Sequence, residues 1–152
     1  MKATLFFIGF LFIGTPMVLA QLPSNMTGTW KRTAMSSVTT DGKVTDYVAT
    51  LEKTMPCSKD MTYTFKADGS FITHVPDACG SMKKTLESMN AEGKGTMKGN
   101  KVTVVSSLLP PATYDVTFSG NIMTWYFDYA ANPKIPNPGG KLKSMTIVYT
   151  KL

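Results

Sequence analysis

A chain of 152 residues, 43% of them apolar and 17% charged, has material for one domain with a real core and too little for two. The formal net charge of +6 comes almost wholly from lysines scattered along the chain, with Arg32 the lone arginine. Nucleic-acid readers lean on arginine forks and a concentrated basic face, so this charge pattern speaks against that class.

Residues 1–20, MKATLFFIGFLFIGTPMVLA, begin with Lys2, run through an apolar stretch from Leu5 to Ile13 and finish on the small-residue pattern Val18, Leu19, Ala20. That is the pattern of a secretory signal peptide cleaved after Ala20, and Gly14 and Pro16 argue against a retained membrane anchor. No cysteine follows the apolar run, so a lipidated N-terminus is not expected. Residues 21–152 are then one domain, exported to the periplasm or the medium, with no transmembrane anchor.

The segment GTWKRTAMSSVTT, residues 28–40, is rich in Thr, Val, Trp and Ser and ends at the turn dipeptide Asp41-Gly42, which predicts a first strand. Next, TDYVATLEKT, residues 45–54, places Tyr47, Val48 and Leu51 on one helical face, with Asp46 near its start and Lys53 near its end. It predicts a short helix.

CSKDMTYTFKADGSFITHVPDAC, residues 57–79, holds both cysteines of the chain. Its centre alternates with period two on either side of Ala67-Asp68-Gly69, the signature of a hairpin with Gly69 in the left-handed region. The register pairs Phe65 with Phe71, Tyr63 with Thr73 and Met61 with Val75, and its extension sets Cys57 opposite Cys79. Directly opposed residues lie about 4.5–5.5 Å apart at Cα, a span that a disulfide bridges. The spacing is not Cys-x-x-Cys, and one histidine leaves too few ligands for zinc. An exported chain therefore points to a structural Cys57–Cys79 staple across the open end of the hairpin, worth about 3 kcal/mol.

Further on, PDACGSMKKTLESMNAEGK, residues 76–94, accommodates a short helix around Ser81 to Met89. Gly99-Asn100 and Gly120-Asn121 each separate two alternating runs, giving two more hairpins. YAANPKIPNPGGK, residues 129–141, is a long, semi-rigid, proline-rich connection, and KSMTIVYTKL closes the chain as a last strand. The predicted strands are 28–40, 61–66, 70–75, 95–98, 101–107, 112–118, 121–129 and 143–151. Hairpins succeed one another without a βαβ pattern. The expected fold is all-β: an eight-stranded antiparallel up-and-down barrel with a short helix between strands one and two, a two-sheet sandwich being the alternative.

These residues also carry a family resemblance. Gly28 and Trp30 in GTWKR resemble the Gly-x-Trp signature of lipocalins. With Cys57 before a TYTFKADGSF-like hairpin and Cys79 after it, residues 21–152 resemble the secreted bacterial lipocalin-like domains. The last strand departs from the lipocalin pattern, offering Lys151 where an arginine usually packs over the Gly-x-Trp indole.

The resemblance implies a monomeric, non-enzymatic binder of a small hydrophobic or amphipathic ligand inside the barrel, with no cofactor or metal. Candidate ligand-contacting positions on the alternating strands are Tyr63, Phe65, Phe71, Val104, Tyr114, Val116, Phe118 and Trp125, with Val102, Met123 and Phe127 beside them. An inward aromatic stripe also suits a plain core. The competing class is therefore a cell-envelope interaction module with a filled barrel, contacting glycan, lipid headgroup or protein through its loops. The loops at 76–94 and 129–141 are candidate lids. No catalytic residue is expected: His74 should face away from Phe71 and Thr73 into solvent, and no nucleophile elbow, phosphate loop or HExxH is present.

Overall fold

The computed structural model describes residues 22–89, 93–106 and 109–152; the expected signal peptide lies outside them. Nine antiparallel strands form one sheet: β1 (Gly28–Thr39), β2 (Val44–Asp46), β3 (Thr62–Phe65), β4 (Ser70–His74), β5 (Gly93–Lys98), β6 (Lys101–Val105), β7 (Ala112–Ser119), β8 (Ile122–Asp128) and β9 (Leu142–Lys151). From β3 onwards each strand pairs with the next, and β1 pairs with both β3 and β9. The sheet therefore closes on itself as an eight-stranded barrel, not a sandwich, with β2 added outside the closure.

The extra strand corrects the sequence reading of residues 45–54. Thr39 N donates to Lys43 O at 2.9 Å, and this turn carries the chain back along β1 as three rungs, Ser36 to Val38 against Val44 to Asp46. Only then does α1 (Val48–Thr54) form, with Asp46 Oδ1 accepting from Val48 N at 2.9 Å. The helix lies between β1 and the second barrel strand, as expected, but begins later because the ladder claims the residues before it.

The predicted hairpins are present. β3 and β4 pair Phe65 with Phe71 and Tyr63 with Thr73. Gly69 (φ +86°) makes the turn, its N donating to Lys66 O at 3.0 Å. Gly99 and Gly120 carry φ of +63° and +58° at the first turn position, where a type II′ hairpin requires glycine.

Cys57 and Cys79 form the expected disulfide with Cα atoms 5.2 Å apart, but not as rungs of the ladder. Each sits in a short 3₁₀ turn, Pro56–Asp60 and Asp77–Met82, just beyond the strand ends. Pro76, between the end of β4 and Cys79, supplies no N–H, and on the other strand residues 56–60 are wound into the 3₁₀ turn, so the ladder stops before the cysteines. Met61 and Val75 pack with Cys79 and Leu86 in a small core of their own outside the barrel. Leu86 belongs to α2 (Lys83–Met89), the helix expected from residue 81; Met82, just before it, is exposed. Among the described residues no helix is long and apolar enough to cross a membrane.

Candidate functional site

Up-and-down winding gives the barrel two unlike ends. The tight turns at 66–69, 99–100 and 120–121 gather at one, together with the start of β1 and the end of β9. The strand ends at Thr39, Thr62, His74, Gly93, Val105, Ala112, Asp128 and Leu142 gather at the other.

The tight end is sealed. A turn after Leu22 (Met26 N to Pro23 O, 2.9 Å) tucks Leu22 and Met26 beneath Trp30, and Met26 O accepts from Trp30 Nε1 at 2.8 Å. Trp30 pairs with Lys151 across β1 and β9, and Lys151 Nζ stands 5.3 Å from the centre of the indole. The lysine thus takes the place in which the lipocalin pattern puts arginine, held by attraction to the ring face.

Towards the other end the inward side chains leave a cavity of about 260 Å³. Tyr63 and Phe65 of β3, Phe71 of β4, Val104 of β6, Tyr114 of β7 and Trp125 of β8 line it. Trp125 is the hub of the wall, with ring centroids of Tyr114, Phe65 and Tyr149 at 5.0, 5.6 and 6.1 Å, in tilted or edge-on geometry. Such pairs interlock the rings and hold the wall in shape. Two further candidates, Val116 and Phe118, lie elsewhere: they line an open groove at the sealed end with Pro23 and Asn25.

The remaining lining residues, Thr73, Ser106, Leu109, Ile147 and Tyr149, were not among the expected ones. Ile147 and Tyr149 lie in a run recognisable as alternating, but only closure of β9 onto β1 says which face is inside. Ser106 and Leu109 come from a connection without periodicity. The two loops proposed as lids contribute no lining residue among those described. The 129–141 loop is instead pinned to the barrel by Asn132, whose Oδ1 accepts from Thr113 N at 2.8 Å while Nδ2 donates to Thr113 O and Asp128 O.

The cavity wall is electrically quiet but not inert. Burial pushes the phenols of Tyr63, Tyr114 and Tyr149 above their usual range, Tyr149 furthest. A bulge in β1 between Arg32 and Ala34 leaves Arg32 opposite Tyr149, and its positive charge acts against that rise at both Tyr63 and Tyr149. No lining residue is ionised at neutral pH. One buried side-chain atom has no hydrogen-bond partner among the described residues: Nε1 of Trp125.

The histidine and the strand carboxylates lie apart from this cavity. His74 is exposed, as expected, and shares a 3.1 Å hydrogen bond with Thr64 Oγ1. Asp115 pairs with Lys101 Nζ at 2.7 Å, and Asp128 Oδ1 accepts from Ala130 N at 2.8 Å.

Among protein families, the model of the lipocalin-like domain matches residues 26–125, more than half of the chain, from the methionine beneath Trp30 to the tryptophan at the hub of the cavity. No curated protein matches the sequence.

Proposed function

The chain belongs to the lipocalin-like domain family, and from that premise we propose that it is an exported, non-enzymatic binding protein holding one small apolar or amphipathic molecule in the open half of its barrel. The observation that carries the reading is the aromatic-lined cavity of about 260 Å³. A dry cavity of about 150 Å³ accepts a benzene-sized guest, so this one suits a molecule of one or two rings, not a long lipid chain. The Cys57–Cys79 disulfide supports export, since such bonds persist outside the reducing cytosol. The alternative, an envelope module with a filled core, describes only the sealed half, where Trp30, Met26, Met123, Val102 and Val116 are packed tight.

The test is a titration with naphthalene followed by tryptophan fluorescence, in the native protein and in Val104→Phe. The proposal expects saturation at one molecule per chain and at least about tenfold weaker binding once phenylalanine occupies part of the cavity. Non-saturable uptake, or equal affinity in both proteins, would place the probe elsewhere and defeat the reading.

A further inference from the structure

The strand pairing brings one charge to the inner face of the barrel. Arg32, the lone arginine of the chain, lies directly opposite Tyr149 in the β1–β9 ladder, and residues opposed in this way share a face of the sheet. Tyr149 lines the cavity, and Trp30, two residues before Arg32 on β1, belongs to the core. The bulge after Arg32 sets Met35 opposite Ile147 of the cavity wall, so Met35 shares that face as well. Its sulfur, 3.8 Å from Arg32 Nη1, is the one side-chain partner of the guanidinium among the described residues. A thioether is a weak, uncharged acceptor, and Arg32 has no ion pair among the described residues.

Next to this charge stand two hydroxyls without partners. Tyr63 and Tyr149 are only 9% and 8% exposed, their rings meet edge-on with centroids 5.3 Å apart, and both line the cavity. Neither hydroxyl has a hydrogen-bond partner among the described residues, yet neither is sealed off as Nε1 of Trp125 is; the space they reach is the cavity that their rings line. The positive charge of Arg32 acts on both phenols, so the three groups are neighbours.

Resting on the binding reading above, we infer that the ligand is a one- or two-ring carboxylic acid bound as its anion, with the carboxylate held by Arg32 and the hydroxyls of Tyr63 and Tyr149. Its ring then lies against Phe65, Tyr114 and Trp125 in the rest of the cavity of about 260 Å³. An ionised carboxylate only accepts hydrogen bonds, and its two oxygens match a guanidinium fork and two phenol donors. One guanidinium balances one negative charge, which favours a carboxylate over a doubly charged phosphate. A cation would meet like charge and offer the hydroxyls no lone pair. A neutral ring fills the space but leaves the half-buried Arg32 without a counter-charge where the surroundings are least polar and pairing is strongest.

Four probes of one ring system test the inference: naphthalene, neutral 2-naphthamide, anionic 2-naphthoate and cationic 2-naphthylmethylammonium. Their affinities are measured on the native protein, on Arg32→Gln and on Tyr149→Phe. In parallel, the ¹H–¹⁵N spectrum of the native protein is recorded with each probe, since a single arginine gives a single Nε–H signal. The expected result on the native protein is 2-naphthoate at least about tenfold tighter than 2-naphthamide, with the cation weakest. That preference should vanish in Arg32→Gln and shrink about three- to tenfold in Tyr149→Phe. The Arg32 Nε–H signal should move with 2-naphthoate and stay in place with naphthalene. If either variant fails to fold, that signal decides, and an unmoved signal overturns the inference. If 2-naphthoate and 2-naphthamide bind alike, or the preference survives Arg32→Gln, the carboxylate inference is overturned, while saturable uptake of naphthalene leaves the binding reading standing. If the cation binds as tightly as 2-naphthoate, the inference fails. If no probe saturates at one per chain, the reading beneath it fails as well.

Discussion

Gly28 and Trp30 were legible in the sequence as a family signature, and the structure supplies the physical reason for the glycine. Its φ of +120° is strained for any side chain, and a Cβ there would stand 3.0 Å from Lys151 Cε, in the space the lysine uses to reach the indole. Gly28→Ala should therefore cost about 1–3 kcal/mol, read as a lower urea midpoint with an unchanged slope. The buried tyrosines make a second claim at this scale, about pH. The folded-state values of Tyr63, Tyr114 and Tyr149 are raised above the ordinary 10.0. Their contribution to stability is complete below pH 10. It is lost as pH rises beyond 10, because the unfolded chain then releases protons that the folded one keeps. Each retained phenol removes up to about 1.4 kcal/mol per pH unit. Phenolate absorbance from these three residues should thus appear together with unfolding; a smooth titration near pH 10 in the folded protein would contradict their burial. Trp125 stood among the expected wall residues, but nothing in a sequence reveals that an indole N–H lacks a partner.

Elements were legible where a turn residue or strict alternation marked them, and obscure where neither did. The β3–β4 hairpin came through in its register because Asp68-Gly69 fixes the loop and aromatic residues alternate on both sides. Gly69→Ala should be among the most damaging single changes, about 3 kcal/mol or more: besides its φ of +86°, a Cβ would fall 2.4 Å from Gly95 O in the neighbouring strand. The start of β5 was missed because Gly93-Lys94-Gly95 contains no strand-forming side chain. Its reason lies across the sheet, where the Phe71 ring occupies the space a Cβ on Gly93 would need, 2.2 Å from Phe71 Cζ. The disulfide was foreseen for a partly mistaken reason, since the ladder ends at Thr62 and His74 and the chain enters 3₁₀ turns before it reaches the cysteines. Because it ties two 3₁₀ turns and not two strands, the double variant Cys57→Ser, Cys79→Ser should keep the barrel's far-ultraviolet dichroism while losing about 3 kcal/mol in denaturant unfolding. Collapse of the sheet signal in native buffer would show that the staple holds the barrel itself.

At the scale of the molecule, eight strands and their order were accessible because hairpin followed hairpin. Which half of the barrel is hollow was not, because it depends on closure. Only when β9 joins β1 do Trp30 with Lys151 and the tucked Met26 fill one end while Tyr149 and Ile147 face a gap near the other. This also separates Val116 and Phe118 from the other candidate residues, although all share the same alternation. The central claim is that the gap is a ligand site and not a packing remnant. Native mass spectrometry of the protein purified from its own source tests it most directly, with the same sample measured again after denaturation. A ligand site gives an excess mass of one small organic molecule per chain under native conditions, absent after denaturation, with the protein mass itself two hydrogens below the fully reduced value for the disulfide. A bare native mass, joined to a failure of the stripped protein to take up any one- or two-ring probe at one per chain, would contradict it.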